Sequence, residues 1–240
     1  MAGASSSPER MAPMSTESPV TDAWLVIPLY NEAAVIGDVV TGARKRFPNV
    51  VCVDDGSADA SAAVAERAGA MVVRHPFNLG QGAALQTGMR YVLEQTDANF
   101  IVTFDADGQH QVDDAEAMVS LARRDDLAIV FGSRFLDERT RPGWAKRLVL
   151  RTAVWVTNQS TGLRLTDAHN GLRVIRRDAA SSLDLRQNRM AHATEIVLNL
   201  GRTRLPWAEY PVHVLYTDYS RGKGQSLLNS VNILVDLVFN

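Results

Sequence analysis

The residues with the clearest chemical potential are two aspartates, Asp105 and Asp107, that follow an apolar run at 101–104. The apolar run predicts a buried strand, so both carboxylates would lie at its end and could reach one cation. Mg²⁺ commonly binds one or two carboxylates and completes its shell with water and substrate phosphate oxygens; Gln109 adds a neutral oxygen. Such a cation offsets the charge of a diphosphate and helps it leave. An acidic turn is the alternative, since Asp and Gly favour turns, but the preceding strand favours the metal site.

Polar residues also follow three other predicted strands. These clusters lie at 28–32, 54–57 and 132–134. In open α/β sheets the ligand lies beyond the carboxyl ends of the strands, so four clusters at strand ends predict one shared site. The adjacent Asp54 and Asp55 repel each other unless a partner compensates, and a carboxylate there can accept hydrogen bonds from a base or a ribose. A turn followed by a helix cap at Asp59 is the alternative.

Two later segments carry charges that suit the same site. In the segment 167–173, Asp167 could position an acceptor or act as a base, and Arg173 could hold a phosphate. A local turn with a salt bridge is an equal alternative. Arg221 and Lys223 lie in a glycine-rich segment that suits a lid over a diphosphate, although a solvated basic loop has the same composition.

Other candidate residues carry weaker signals. The run 78–82 is glycine-rich, but its spacing differs from G-x-G-x-x-G, so it predicts a close backbone approach at a helix start more than a phosphate loop. His75, His192 and His213 have no metal-ligand spacing, and we expect them to be structural.

Short apolar runs alternate with helical patterns along the chain. Strands are predicted at 23–29, 49–55, 70–75, 99–107 and 127–135, with helices at 32–46, 59–69, 82–95 and 112–124. Further along, the patterns predict a helix at 144–159, a strand at 171–177, a helix at 190–202, a strand or hairpin edge at 204–216 and a helix at 226–239. Strands separated by helices of this length predict right-handed crossovers and a mostly parallel sheet with flanking helices, an α/β fold in a single domain.

Composition narrows the class of protein. The formal net charge of -2 gives no basic field for nucleic acid, and Cys52 alone cannot form a disulfide framework or a cysteine-rich zinc site. A reducing, cytosolic compartment fits this cysteine usage. Residues 1–22 are rich in Ser, Pro and Ala, without the apolar stretch of a secretory signal, and are predicted to be a disordered tail. No apolar stretch approaches the roughly 20 residues of a spanning helix.

Taken together, these motifs resemble family 2 inverting glycosyltransferases, specifically the dolichol- or polyprenyl-phosphate sugar synthases. The matching pieces are PLYNE (28–32), VDDGSADAS (53–61), NLGQGAAL (78–85) with Gly88, DADGQH (105–110), GSRF (132–135), DAHNGLR (167–173) and Arg221 to Ser226. They follow the family's order over about 24–226. The resemblance implies a GT-A type, Rossmann-like fold, with a glycosyltransferase domain over 23–226 and an amphipathic C-terminal helix over 227–240.

The resemblance also implies roles for residues of this chain. It implies that the nucleotide-sugar donor is bound by Pro28, Tyr30, Glu32, Asp55, Gly82, Asp105, Arg134 and Lys223. For the metal, Mg²⁺ or Mn²⁺, it implies Asp105, Asp107 and Gln109. For catalysis it implies Asp107, Asp167, Arg173 and Arg221, with the arginines meeting phosphates of donor or acceptor and Asp167 near the reaction centre. A phosphate acceptor is already ionised near neutral pH, so a strong general base is unnecessary.

Three hypotheses for the function follow. The first is metal-dependent transfer of a hexose or N-acetylhexosamine from a UDP-sugar to polyprenyl phosphate, in cell wall biosynthesis, with GDP-mannose as the alternative donor. The absence of a Q-x-x-R-W segment favours a lipid phosphate over a growing polymer. The second is a non-catalytic nucleotide-binding regulatory module, against which the intact acidic motifs argue. The third, a nicotinamide-dependent oxidoreductase, is disfavoured because the first strand runs into PLYNE instead of a glycine fingerprint.

The predicted helix 144–159 indicates contact with a membrane. Trp144 and Trp155 share this helix with Lys146, Arg147 and Arg151, a combination that suits an interfacial position. The helix 227–240 is interpreted as core packing, or as a site for a small membrane protein partner. Membrane-anchored relatives of this family continue into transmembrane helices, whereas no apolar stretch of that length is found in this sequence. We therefore expect a cytoplasmic protein that is peripheral at the inner face of the membrane.

Overall fold

A computed structural model describes residues 18–136, 163–185 and 191–215 of the chain. Its strands are β1 (Ala23–Leu29), β2 (Val50–Asp54), β3 (Met71–Arg74), β4 (Phe100–Thr103), β5 (Ile129–Ser133), β6 (Arg173–Arg176) and β7 (Trp207–Pro211). Its helices are α1 (Ile36–Arg44), α2 (Ser61–Arg67), α3 (Gln81–Gln95), α4 (Val112–Arg124), α5 (Arg177–Ser181) and α6 (Ala191–Thr203). Strands and helices alternate as the sequence predicts, which confirms the α/β class.

The strands form one sheet in the order β3-β2-β1-β4-β6-β5-β7. The pairs β1–β2, β1–β4, β2–β3 and β5–β7 are parallel. Only β6 runs against its neighbours, β4 and β5, within the described part of the chain. The sheet is therefore mostly parallel, and the carboxyl ends of β1, β2 and β4 meet at one edge.

Helices cover both faces of the sheet, and β1 shows how the sequence divides between them. Leu25 and Ile27 pack on one face with residues of α1 and α4, whereas Val26 packs on the other with residues of α3 and α6. This alternation follows from the two-residue period of a strand. Because both faces are buried, the strands read as continuous apolar runs. A Cβ at Gly88 would collide with the side chain of Val26, so the glycine allows α3 to lie close to β1.

One helix begins later than the apolar pattern predicts. The helix predicted at 32–46 starts at Ile36, and the segment before it bonds to residues between β2 and the start of α2. The backbone N–H groups of Asn31 and Glu32 donate to Ser57 Oγ and Ser61 Oγ, at 2.9 and 2.7 Å. Asn31 also adopts φ 53°, which no helix continues. The first N–H groups of a helix have no partner within the helix, so the two serine hydroxyls satisfy donors that would otherwise be unpaired.

The packed domain begins a few residues before the predicted boundary at 23. Val20 is buried at 4% exposure, and its N–H donates to the carbonyl of Arg46 at 2.8 Å. The Asp22 carboxylate pairs with Arg123. Val20 and Asp22, which the sequence assigned to the tail, therefore contact the packed domain. The rest of the predicted tail, the helix 144–159, the glycine-rich segment with Arg221 and Lys223, and the helix 226–239 lie outside the described residues.

Candidate active site

A cavity of about 490 Å³ opens at the carboxyl ends of β1, β2 and β4. The residues that line it are Pro28, Leu29, Tyr30, Glu32, Asp55, Asn78, Gly80, Gln81, Ala84, Leu85, Asp105, Ala106, Asp107, His169, Gly171, Arg173, His192 and Ala193. Its volume falls within the range of about 300–1,000 Å³ that small-molecule sites occupy. The cavity thus lies where an open α/β sheet binds its ligand.

Asp105 lies two residues beyond the end of β4 and is held from two sides. His110 Nε2 lies 2.8 Å from its Oδ2, and Gln81 Nε2 donates to its Oδ1 at 3.3 Å. A Cβ at Gly171 would collide with this carboxylate, so the glycine leaves room for it. Burial raises the pKa of Asp105. The charges of His110 and Arg173 and the hydrogen bond with His110 lower this pKa by more, so the net shift is downward. Asp105 is therefore ionised at neutral pH.

Asp107 follows in the same turn and lines the same cavity. The N–H of Gln109 donates to its Oδ1 at 3.0 Å, which fixes the carboxylate. Burial raises the pKa of Asp107, and the negative charge of Asp105, with a smaller contribution from Glu32, raises it further. Two carboxylates thus share one edge of the cavity and disfavour each other's charge.

This pair of carboxylates fits a divalent cation. Among the described residues no cluster of three or more His, Cys, Asp or Glu side chains is arranged to hold a metal. Mg²⁺ does not need such a cluster, since it commonly takes one or two carboxylates and fills its shell with water and substrate phosphate. The donor set of Asp105 and Asp107 matches that demand. Gln109 is half-buried beside them but is not among the residues that line the cavity, so its role as a ligand stays a prediction.

The loops after β1 and β2 form the other side of the cavity. Tyr30 is 47% exposed and lines the opening together with Pro28 and Glu32. A half-exposed aromatic ring beside backbone and carboxylate groups can stack on a planar base. A planar base could therefore be held on this side of the cavity.

Asp55 lines the same cavity, and its carboxylate also links the loop after β2 to the segment before α3. Its two oxygens accept the N–H groups of Leu79 and Gly80 at 2.9 and 2.8 Å, and His75 Nδ1 lies 2.7 Å away. Gly80 adopts φ 97°, a conformation that a side chain would strain. The compensation that the adjacent Asp54 and Asp55 require is thus supplied by the start of α3. Gly82, in the first turn of α3, is buried and is not among the cavity-lining residues.

Asp167 and Arg134 bind each other beside the cavity. Arg134 Nε and Nη2 donate to Asp167 Oδ2 and Oδ1 at 2.6 and 2.9 Å, and the backbone N–H of Arg134 donates to Oδ2 at 3.2 Å. Burial raises the pKa of Asp167, but the charge and hydrogen bonds of Arg134 outweigh burial and lower it. The sequence offered a local salt bridge within 167–173 as the alternative, whereas the observed pair joins Asp167 to a residue 33 positions away. Neither residue is among those that line the cavity.

Arg173 brings positive charge into the cavity. It begins β6, is 2% exposed, and its terminal nitrogen Nη2 has no hydrogen-bond partner in the described part of the chain. Burial lowers its pKa to about 10, although Asp105 and Asp167 oppose that shift. Arg173 therefore remains cationic at neutral pH and has an unused donor, as a group that binds phosphate requires.

The structure adds three residues that the sequence reasoning missed. His169 and His192 line the cavity, whereas the sequence suggested a structural role for His192. Glu209 on β7 accepts three hydrogen bonds at Oε1, from Thr166 N, Thr166 Oγ1 and Asp167 N, at 2.8, 3.0 and 3.1 Å. Glu209 thereby fixes the segment that carries Asp167. His169 lies within the DAHNGLR motif (167–173), from which the sequence reasoning took only Asp167 and Arg173; His192 and Glu209 lie in no motif.

Arg221 and Lys223 lie outside the described residues, so the predicted lid stays a prediction. No helix in the described ranges has the length and apolar character to cross a membrane.

The chain is similar to several known proteins. It is 32% identical over 220 residues to an uncharacterized protein of Methanocaldococcus jannaschii, a match that covers 90% of each chain. It is 28% identical over 241 residues to the UDP-N-acetylglucosamine–dolichyl-phosphate N-acetylglucosaminyltransferase of Methanococcus voltae, covering 90% of this chain and 94% of that one. It is 30% identical over 169 residues to the undecaprenyl-phosphate mannosyltransferase of Micrococcus luteus, covering 67% and 68%.

The fold is also similar to that of solved structures. Glucosyl-3-phosphoglycerate synthase of Mycobacterium tuberculosis in complex with phosphoglyceric acid has a TM-score of 0.67 at 18% identity, covering 90% of this chain and 78% of that one. The same enzyme in complex with Mn²⁺ and UDP-glucose has a TM-score of 0.65 at 20% identity, covering 90% and 76%. These neighbours support the GT-A type of fold. The model of glycosyl transferase family 2 matches residues 24–183, and the chain belongs to this family of glycosyl-transfer enzymes.

Proposed function

We propose that this protein is an inverting, metal-dependent glycosyltransferase that moves a hexose or N-acetylhexosamine from a UDP-sugar to polyprenyl phosphate. One observation carries the proposal. Two carboxylates, Asp105 and Asp107, share a cavity of about 490 Å³ with the buried cation Arg173. A nucleotide sugar and a phosphate acceptor need both features: a cation held by the two carboxylates would offset the charge of the diphosphate, and Arg173 would bind a phosphate.

The reaction follows from the chemistry of the two substrates. An ionised oxygen of the acceptor phosphate attacks the anomeric carbon and forms the new bond. The bond between that carbon and the diphosphate oxygen breaks on the opposite face, so the anomeric configuration inverts and UDP leaves. The attacking oxygen carries no proton near neutral pH, so no side chain has to remove one.

The residues of the chain hold the partners for that attack. Asp105 and Asp107 would hold Mg²⁺ or Mn²⁺, which when bound would neutralise charge on the departing diphosphate. Tyr30 and Glu32 would contact the nucleoside. Arg173 would bind phosphate through its guanidinium nitrogen Nη2, which has no partner among the described residues. Asp167 would keep Arg134 and the 167–173 segment in place beside the reaction centre, and Arg221 and Lys223 would close over the phosphates.

The comparisons support the choice of substrates. The relative from Methanococcus voltae is named for a UDP-sugar donor and a dolichyl-phosphate acceptor. The relative from Micrococcus luteus is named for mannose transfer to undecaprenyl phosphate, which favours GDP-mannose as the second candidate donor. Both names have a polyprenyl phosphate acceptor in common. A lipid acceptor in turn favours a protein that works at the cytoplasmic face of a membrane.

The test is a panel of donors with one short-chain polyprenyl phosphate. UDP-glucose, UDP-N-acetylglucosamine, UDP-galactose and GDP-mannose are each incubated with the protein and Mg²⁺ or Mn²⁺, with and without EDTA. We expect sugar transfer from one UDP-sugar, which EDTA abolishes and added metal restores. Transfer from GDP-mannose alone would replace the donor with the second candidate. Nucleotide binding without transfer or hydrolysis in any reaction would favour a regulatory module and contradict the proposal.

A further inference from the structure

His169 lines the cavity with both ring nitrogens unpaired. Its Nδ1 and Nε2 are buried, and neither has a hydrogen-bond partner in the described part of the chain. Buried polar atoms in folded proteins are nearly always paired, because losing water without gaining a partner is costly. A residue at a cavity wall can recover that cost when a ligand supplies the partner.

The charge state of His169 limits what that partner can be. Burial lowers its pKa to about 4; the charge of Asp167 opposes this shift, and those of Arg173 and Arg134 add to it. The ring is therefore neutral at physiological pH, with one N–H donor and one bare acceptor nitrogen. An ionised phosphate offers only acceptors and could bond the N–H alone, whereas a sugar hydroxyl could either accept from the N–H or donate to the bare nitrogen.

The place of His169 in the sheet indicates which part of a donor it would meet. The nucleoside side of the cavity is built by the loops after β1 and β2, and Asp105 and Asp107 follow β4, the next strand. His169 lies in the segment that leads into β6, one strand further on. A donor that follows this order would place its base at Tyr30, its diphosphate at the two aspartates and its sugar at His169.

We propose that His169 is a specificity-determining residue that hydrogen-bonds a hydroxyl group of the transferred sugar. This inference rests on the proposed function, since it requires a nucleotide sugar in the cavity. The backbone N–H of His169 donates to Asp167 Oδ1 at 3.3 Å, so the Asp167–Arg134 pair fixes the main chain of this residue. The ring is thus presented to the sugar from a rigid support.

The test compares ligands that differ only in the sugar. Affinities of wild type, His169→Phe and His169→Gln are measured by calorimetry with Mg²⁺ for UDP, UDP-glucose and UDP-N-acetylglucosamine. We expect His169→Phe to weaken binding of the preferred UDP-sugar about tenfold, the loss of roughly one good hydrogen bond, and to leave UDP affinity unchanged. His169→Gln, which keeps a donor and an acceptor, should recover part of that loss. His213→Phe makes the same replacement outside the cavity and should match wild type.

A series of UDP-deoxyglucose donors identifies the hydroxyl. Wild type should lose affinity for one deoxy donor, and His169→Phe should show no further loss for that donor, because the two changes remove the same bond. Equal weakening of UDP and UDP-sugar, or a change only in the KM for the acceptor, would overturn the assignment to the sugar. If both variants misfold, the binding of the deoxy donors to wild type decides. Equal affinity of wild type for all deoxy donors overturns the assignment of His169 to a sugar hydroxyl. A wild type that binds UDP but no UDP-sugar would instead overturn the proposed function, and the inference with it.

Discussion

Replacing Asp167 by Asn should destabilise the protein strongly although it changes only one atom. The carboxylate is 1% exposed and its partner Arg134 is 16% exposed, so the pair is shielded from water. Each oxygen accepts two hydrogen bonds: Oδ2 from Arg134 N and Nε, and Oδ1 from Arg134 Nη2 and His169 N. An amide nitrogen cannot accept, so either orientation of Asn loses two bonds and the negative charge. Breaking a buried ion pair costs about 3–5 kcal/mol, and we expect about 3 kcal/mol because one oxygen remains.

Urea unfolding of wild type and Asp167→Asn at pH 7 measures this difference. Glu66→Gln is the control, since its pair with Arg74 is about half exposed on both sides and should contribute less than about 1 kcal/mol. The pKa of Asp167 is lowered in the folded state, so its stabilisation is present above the unfolded pKa of about 3.9 and is lost as pH falls through the folded value. The difference should be constant near neutral pH and shrink only in acid. Equal stability of the two proteins at pH 7 would refute the ion-pair argument.

Three further substitutions test the positions of the other site residues. Gly171→Ala should displace the Asp105 carboxylate, which an added Cβ would meet, and reduce turnover severely; unchanged kcat would contradict this packing. Asp107→Ala should weaken metal-dependent nucleotide binding by about a hundredfold or more while circular dichroism shows a retained fold, and wild-type activity with radiolabelled donor would refute its role. Glu209→Ala should lower stability by about 2 kcal/mol in thermal or urea unfolding, with Glu209→Gln closer to wild type because it keeps the accepting oxygen; equal losses would show that the three hydrogen bonds at Oε1 do not matter.

The sequence predicts much of the fold because burial leaves a local pattern. The strand at 23–29 and the helix at 112–124 begin and end where the apolar periodicity places them. The aspartates after β4 could be identified too, since an apolar strand directly precedes them. The direction of a strand could not be identified, because a parallel and an antiparallel strand show the same apolar pattern. That β6 is antiparallel is therefore known only from the structure.

The parts that the sequence does not reveal depend on contacts between distant residues. Asp55 looks like a free ligand in the sequence, but its oxygens accept N–H groups from residues 24 and 25 positions away. His192 has no local signal, because only the packing of α6 against the sheet brings it to the cavity. The segment before α1 is likewise held by serines more than twenty residues downstream.

The most direct test of the account is a crystal structure of the protein soaked with UDP and Mn²⁺. The anomalous signal of manganese locates the ion independently of the protein. We expect the ion between the UDP diphosphate and the carboxylates of Asp105 and Asp107. A well-ordered UDP–manganese complex in which both carboxylates turn away from the ion would contradict the proposed site.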